Sequence, residues 1–230
     1  MSEPLDHHYL PIFFLSRWAG NDGRVCRFSK PAGNEVKAKR VSPRGTAFER
    51  GLYEIRGLPP ELAQTMEKDF MARLDASAAQ ALELLESGLP EKDWKSGPRS
   101  SWSRFMLTQM LRTPEDVAQL KSSVKQDWAK ALSELEEIYT ARRSETDPPT
   151  VGEYLRAQNS AEEDEFALSI ARTLMDHPNI GQSFNNMHWQ VLDVSNDDFP
   201  LLTSDRPIWM TLSITEEDAY WAEEVVYSRS

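Results

Sequence analysis

An apolar residue recurs at almost every fourth position between Leu62 and Leu85, and this pattern restricts the fold more than any other feature of the sequence. The stripe comprises Leu62, Met66, Phe70, Leu74, Ala78, Leu82 and Leu85. A four-residue spacing places side chains on one side of an α-helix, and most residues between them are charged or polar. The sequence therefore predicts a long amphipathic helix that begins near Pro60, ends before Gly88 and turns its apolar side to a core.

Three further helices are predicted by the same spacing and by start signals. One spans about residues 100–111. Another begins at Thr113, whose side chain can cap a helix, with Pro114 at the first helical position. A fourth begins at the capping box formed by Ser160 and Glu163. The middle of the chain is thus predicted to be helical.

Alternation with a period of two residues indicates strands at both ends of the chain. Residues 24–28 and 35–41 alternate and are separated by a turn, which predicts a β-hairpin, and residues 52–55 predict one more short strand. Residues 187–194 and 208–214 alternate again, so a small group of strands is expected within residues 184–230.

The first apolar segment allows two structures. Leu10, Phe14 and Trp18 repeat every fourth residue, and Pro11 is tolerated in a first turn, so a short buried helix is predicted, with a strand as the alternative. The fold class that follows is α+β and mainly helical, in one domain. Its parts are an N-terminal His segment and hairpin at residues 1–57, a helical body at 58–180 and C-terminal strands at 184–230.

Composition excludes some classes of partner. The chain has 230 residues and a formal net charge of −11, which disfavours general binding to nucleic acid and to anionic lipid, although a local basic patch could still bind a polyanion. No segment approaches the roughly 18 apolar residues of a membrane span, so no membrane association is expected. The one cysteine, Cys26, cannot form an intramolecular disulfide and is expected to pack as a small apolar side chain, which favours the cytoplasm.

Three stretches occur in an order that is typical of a known family. They are His7-His8-Tyr9-Leu10-Pro11 with Phe14-Leu15 and Trp18-Ala19, then Arg104-Phe105 to Gln109 with Arg112-Thr113-Pro114, and then Trp189 with Leu202-Thr203-Ser204-Asp205-Arg206-Pro207. Together they resemble the mostly bacterial family known as domain of unknown function 4238, from about residue 7 to about residue 207. The resemblance implies a helical middle but no agreed function. It also implies further strands and a helix after the last motif, so residues 215–230 are expected to replace that part or to reflect a truncation.

The first candidate catalytic residues are His7, His8 and Asp205. A histidine titrates near neutral pH and can act as a general base or a metal ligand, and a carboxylate in a turn can be directed at a pocket. The alternative is structural for each of them, because a histidine can hydrogen-bond inside the fold and an aspartate can accept backbone N–H groups in a turn. With His188, the residues His8 and Asp205 would form a plausible metal shell, so a divalent metal is possible although no cofactor is evident.

Candidate binding residues lie on the helical body and near the final motif. Arg104, Gln109 and Arg112 are expected to hold a phosphate or carboxylate, or alternatively to form a polar helix face paired with acidic residues. Ser204, Arg206 and Trp189 complete the set. A nuclease-like pattern of Asp22 with Glu35-Val36-Lys37 is also present, but such short patterns recur by chance.

Two classes of function remain. The first is an intracellular binding or regulatory module whose partner is a protein or a small-molecule anion. The alternative is a metal-dependent hydrolase, for example a nuclease-like enzyme, that uses the N-terminal His pair and the Ser-Asp-Arg turn. The sequence predicts neither a substrate nor an oligomeric state.

Overall fold

Helices make up most of the computed structural model, which describes residues 5–31, 33–55, 58–88, 90, 94, 96–158, 162–193 and 201–208. The helices are α1 (Ile12–Leu15), α2 (Pro60–Ala63), α3 (Ala72–Leu85), α4 (Ser96–Gln109), α5 (Pro114–Arg142), α6 (Val151–Gln158), α7 (Glu162–Met175) and α8 (Pro178–Asn186). A π-helical segment, Met66–Met71, precedes α3, and 3₁₀ turns lie at Ser16–Trp18 and Pro43–Gly45. The predicted α+β class with mainly helical content is confirmed.

Two small antiparallel sheets form the N-terminal region. β1 (Asp6–His8) pairs with β4 (Phe48–Arg50), and β2 (Val25–Ser29) pairs with β3 (Lys37–Val41). The predicted hairpin is therefore confirmed as β2 and β3. β1 lies near the start of the N-terminal region and β4 near its end, so their pairing brings the two ends of that region together.

The strand predicted at residues 52–55 is wrong. Gly51 adopts a φ of +68° in a turn that directly follows β4. Tyr53 then gives its backbone N–H to the His7 ring instead of to a strand. Of the two structures expected for the first apolar segment, the helix is confirmed, because α1 begins after Pro11 and buries Phe14.

The long apolar stripe folds as a helix with one irregular turn. α2 ends at Ala63, the π-helical segment follows, and α3 continues to Leu85. The core forms where α3 and α4 pack together and meet α1. Its largest fully buried apolar side chains are Tyr53, Phe14, Phe105, Met71, Leu82 and Met175.

The start of α5 follows its sequence signals. Thr113 has an extended backbone, and its hydroxyl accepts a hydrogen bond from the Asp116 N–H, with Pro114 at the start of the helix. Further along, α5 packs against α7 and α6, with Trp128 beside Phe166. The capping box predicted for α7 depends on Ser160, which lies outside the described residues.

The C-terminal strands do not form in the described residues. Residues 178–186 form α8, and residues 187–193 and 201–208 are irregular. The Trp189 indole N–H donates to the Phe184 carbonyl at 3.0 Å, and the Arg99 guanidinium lies 4.3 Å from the Trp189 ring centre. These contacts hold the segment against α8 and α4, away from any strand edge. Residues 194–200 and 209–230 lie outside the described residues.

None of the helices in the described part of the chain combines the length and the apolar character that crossing a membrane requires.

Candidate functional site

Arg112 is the centre of a buried polar cluster, named here the polar core, which comprises His7, Tyr53, Gln64, Glu67, Asp75, Gln109 and Arg112. Arg112 lies between α4 and α5, and its side chain is only 1% exposed. Its two terminal nitrogens donate to the two carboxylate oxygens of Asp75 on α3, at 2.7 and 3.0 Å. One of them also donates to the His8 carbonyl at 2.8 Å. A single guanidinium therefore connects α3, β1 and the α4–α5 junction.

A second carboxyl group, Glu67, belongs to the same cluster. Its Oε2 atom is buried and has no hydrogen-bond partner among the described residues, and the same holds for the Nε atom of Arg112. Burial raises the pKa of Glu67 to about 7; Arg112 opposes this shift and Asp75 adds to it. Because burial is the largest cause of this shift, the pKa of Glu67 lies within the range in which a small change of pH near neutrality changes its charge. It lies in the π-helical segment, a type of irregularity that is frequent at functional sites.

Tyr53 links the two halves of the polar core. Its hydroxyl donates to the Arg112 carbonyl at 3.0 Å, and its backbone N–H donates to His7 Nδ1 at 3.0 Å. The rings of Tyr53 and His7 are stacked with their centres 5.6 Å apart. Burial raises the pKa of Tyr53, so the phenol stays protonated and remains a donor.

Both ring nitrogens of His7 are used inside the fold. Because Nδ1 accepts the Tyr53 N–H, the ring proton lies on Nε2, which donates to Gln64 Oε1 at 2.6 Å. The ring is fully buried, and burial lowers the pKa of His7. Protonation or metal binding at Nδ1 would break the contact with Tyr53. The His7 ring thus hydrogen-bonds inside the fold, which is the structural alternative that the sequence left open for this residue.

His8 points away from His7 and is half-buried. Its Nε2 lies 3.2 Å from the Arg44 carbonyl, and its ring packs on Phe48 with the centres 5.5 Å apart. Burial lowers the pKa of His8, and the cation Arg112 acts in the same direction. The adjacent histidines therefore lie in different surroundings, since successive side chains of a strand point to opposite faces.

The three candidate residues of the helical body separate into two places. Gln109 joins the polar core: with its amide oriented to satisfy both neighbours, it accepts from Arg112 at 3.2 Å and donates to the Tyr9 carbonyl at 3.3 Å. Arg104 lies apart on the surface, where it forms a bidentate pair with Asp176, with both distances 2.6 Å. Each arginine is therefore paired with an acidic residue of the chain, as the structural alternative expects.

The Ser204–Arg206 turn lies on the first turn of α5. Arg206 donates to Asp116 Oδ1 at 2.9 Å and to the Thr113 hydroxyl at 3.2 Å. The Ser204 hydroxyl accepts the Arg206 N–H at 3.1 Å and closes the turn. Arg206 thus uses its charge within the molecule.

Asp205 lies close enough to the N-terminal segment to affect its electrostatics. Burial raises the pKa of Tyr9, and the negative charge of Asp205 raises it further. Since Tyr9 directly follows His8, Asp205 of the final motif lies within electrostatic range of the His segment.

His188 and Trp189 lie elsewhere. Trp189 packs on Trp94 and on Arg99, near the first turn of α4, whereas Arg112 follows the other end of that helix. Within the described residues, no three His, Cys, Asp or Glu side chains form a group that could hold a metal ion. The described positions of His8, His188 and Asp205 therefore do not form a metal shell, while metal binding itself remains a prediction.

A second polar feature lies outside the core and is named here the basic ribbon, residues 24–31 and 33–41, formed by β2 and β3. Val25 is buried, but the rest of β2 is exposed, as are the first four residues of β3. Cys26 is exposed too, so the expectation that it packs in the interior is wrong. At the base of the ribbon, the buried Val25 lies opposite Val41.

Sequence reasoning missed four members of the polar core: Tyr53, Gln64, Glu67 and Asp75. The two acids lie between the apolar positions of the long helix, a pattern that is typical of a solvent-exposed face. Only the position of Arg112, which is distant in sequence, makes them part of a buried site. No local pattern could have found them.

The comparisons with known proteins identify a family. A family model described as Protein of unknown function (DUF4238) matches residues 6–227. The chain belongs to this family. The DUF4238 match continues beyond the last motif, which ends at residue 207, to residue 227. No curated protein and no solved structure matches the chain.

Proposed function

We propose that this DUF4238 protein is a binding module of the cytoplasm, which presents its N-terminal region to a partner, and that the polar core is an internal anchor. The observation that carries the proposal is that three of the candidate catalytic and anion-binding groups are bonded to other groups of the chain. His7 uses both ring nitrogens, Arg112 is paired with Asp75, and Arg206 is paired with Asp116. Catalysis and anion capture both need such groups to be directed at a substrate.

The polar core suits the role of an anchor because it holds both ends of the N-terminal region. The Arg112 side chain binds the β1 backbone at His8, and Tyr53, just after β4, binds the Arg112 carbonyl. The basic ribbon emerges between these two attachment points. A rigid support beneath an exposed element is a common arrangement for binding surfaces.

The cytoplasmic location is part of the proposal. It is supported by the single cysteine, because Cys26 is exposed and the sequence offers it no partner for an intramolecular disulfide. An exposed lone thiol persists in its reduced form in a reducing compartment.

Metal analysis and hydrolase assays test the proposal against the alternative, a metal-dependent hydrolase that uses His8, His188 and Asp205. Purified protein is incubated with Zn²⁺ or Mn²⁺, desalted and measured for metal content and for hydrolysis of bis(p-nitrophenyl) phosphate. The proposal expects neither stoichiometric metal nor turnover. The variants His8→Ala and His188→Ala serve as a matched pair. Stoichiometric metal that both substitutions remove, together with turnover that Asp205→Asn abolishes, would establish the hydrolase instead.

A further inference from the structure

The basic ribbon concentrates positive charge on an acidic molecule. Residues 24–41 contain six Lys or Arg residues and one Glu, a formal charge of +5, whereas the whole chain carries −11. Opposed residues of an antiparallel pair lie on the same face, so the register places Arg27, Lys37 and Lys39 together on one face. Among the described residues, none of these three cations forms an ion pair.

The register also places like charges in direct opposition. Arg27 is the cross-strand partner of Lys39, and such a pair is destabilising because the side chains lie only about 5 Å apart at Cβ. An anion between these side chains would remove the repulsion. Among the ribbon cations, and within the part of the chain that the structure describes, Arg40 on the other face is the one with an acidic partner, Asp22.

The opposite face of the basic ribbon carries an exposed aromatic side chain. Phe28 lies opposite Ala38 and is 53% exposed, which is unusual for a phenylalanine. Both strands of this two-stranded sheet are edge strands, so a flexible chain that crosses an edge of the ribbon can reach the side chains on both faces. Basic side chains together with an exposed aromatic ring are typical of surfaces that bind single-stranded nucleic acid.

Ionic screening decides whether the net charge of the protein prevents this contact. At physiological salt the Debye length is about 8 Å, and a five-residue strand extends about 17 Å. Acidic residues of the helical body that lie farther than the Debye length from a ribbon cation therefore contribute little to the field there. The expectation from net charge, that general nucleic-acid binding is disfavoured, does not apply to a local surface of this kind.

We infer that the basic ribbon binds single-stranded nucleic acid, with Arg27, Lys37 and Lys39 on phosphates and Phe28 stacked on a base. The inference rests on the proposed binding function and names its partner. A nucleic acid fits better than an acidic protein because a phosphate chain supplies a regular run of negative charge and bases that can stack on Phe28. A single strand fits better than a duplex because its bases are accessible.

Fluorescence anisotropy with a labelled dT₁₂ strand tests the inference, at salt concentrations from 25 to 200 mM. The triple variant Arg27→Gln, Lys37→Gln, Lys39→Gln is compared with a charge-matched control on α5 and at its C-terminal end: Lys125→Gln, Lys130→Gln, Arg143→Gln. We expect the ribbon variant to bind at least about tenfold more weakly at 50 mM salt, and its log–log salt slope to fall by about 2, as three lost phosphate contacts require. The control should bind within about twofold of the wild type, since its charges lie outside the ribbon.

The variant Phe28→Ala separates stacking from charge. We expect it to weaken binding about fivefold or more without changing the salt slope, because a stacked base contributes affinity but no counterion release. All substituted residues are exposed, and thermal unfolding of each variant confirms that it folds.

Three outcomes would overturn the inference. They are an equal loss in the control variant, tighter binding to a 12-base-pair duplex than to dT₁₂, and no binding to dT₁₂ at 25 mM salt. A parallel titration with labelled poly-glutamate distinguishes the two proposals. If poly-glutamate binds through the ribbon and dT₁₂ does not, the nucleic-acid inference fails and the binding function stands.

Discussion

At the scale of single residues, Arg112 and Arg104 make the same contact in different surroundings. Both form a two-pronged pair with an aspartate, but the side chain of Arg112 is 1% exposed and that of Arg104 is 44% exposed. Disturbing the hydrogen bonds of a buried charge costs far more free energy of folding than disturbing those of an exposed charge, because water cannot replace the lost hydrogen bonds. The two arginines therefore form a natural matched pair for substitution.

We predict that Arg112→Lys lowers the free energy of unfolding by about 2–4 kcal/mol, because an ammonium group cannot bind both Asp75 oxygens and the His8 carbonyl in the same geometry. Arg104→Lys should cost less than about 1 kcal/mol. Urea denaturation of both variants at pH 7 measures the difference. Equal losses in the two variants would show that the polar core does not anchor the fold.

The second prediction at this scale concerns pH. The pKa of Glu67 rises from 4.5 to about 7 on folding, so its contribution to stability is fully present below pH 4.5 and is lost as the pH rises through about 7. Glu67→Gln removes this titration. Relative to the wild type, the variant should gain on the order of 1–3 kcal/mol between pH 5 and pH 8, the upper limit being reduced because Glu67 is partly exposed.

The contribution of His7 to stability changes with pH in the opposite direction, so it provides an internal check. Burial lowers the pKa of His7 below 6.5, so its contribution is present above pH 6.5 and is lost as the pH falls. In Glu67→Gln the decline in stability below pH 6.5 should therefore be steeper than in the wild type, where the two effects partly cancel. Urea denaturation from pH 5 to pH 8.5 measures both profiles. A difference between variant and wild type that does not grow with pH would contradict the assignment.

At the scale of elements, sequence signals succeed where they are local. α5 begins at Pro114 as predicted, because Thr113, Pro114 and the acidic first turn all act within one helical turn. The basic ribbon is likewise specified by its turns and its alternation. The alternation at residues 187–193 has the same appearance, but it pairs with no strand among the described residues, and there the contacts of Trp189 determine its conformation. Pairing of β1 with β4 also depends on tertiary structure, which no local pattern encodes.

The candidate site likewise contains residues that sequence signals identified and residues whose role depends on tertiary structure. Sequence motifs identified Arg112, Gln109 and Arg206 as candidates, but no motif predicted whether these side chains are buried. Glu67 and Asp75 have the appearance of surface residues because their helix is amphipathic, and only the buried Arg112 gives them a role. Residue type predicts what a side chain can do, whereas its partners come from the fold.

α5 is predicted to differ in stability along its length. Its buried residues are Val117 and Val124, while Leu135 and Ile138 in its second half are 46% and 51% exposed. Local opening is easier where little apolar surface is buried. Hydrogen–deuterium exchange should therefore be at least about tenfold faster in residues 130–142 than in α3. Uniform protection along α5 would contradict this prediction and would indicate a partner on its second half.

At the scale of the whole molecule, the two ends of the described chain meet at the start of α5. Arg206 attaches the final turn to Asp116 and Thr113, one residue from Arg112, which holds β1. We predict that Arg206→Ala increases hydrogen exchange in residues 201–208 severalfold and leaves α3 unchanged, since only the turn loses its attachment. Arg73→Ala is the control, because Arg73 forms an exposed pair at 3.8 Å. Faster exchange throughout the variant would show a global role instead.

The last prediction is that the helical body folds without the basic ribbon. No ribbon residue belongs to the main apolar core, and Val25 and Val41 are direct cross-strand partners at its base. Residues 26–40 can therefore be replaced by Asn-Gly, which forms the two-residue turn that such a pair requires.

The melting temperature of this shortened protein should stay within about 3 °C of the wild type, because the buried apolar area is preserved. Phe14→Ala, in the same N-terminal region, should instead cost about 3–5 kcal/mol, since Phe14 is 2% exposed within the core. Thermal unfolding followed by circular dichroism measures both. A shortened protein that is destabilised as much as Phe14→Ala would make the ribbon part of the folding unit. Preserved stability with lost dT₁₂ binding would make it an element whose exposed charge serves a partner and not the fold.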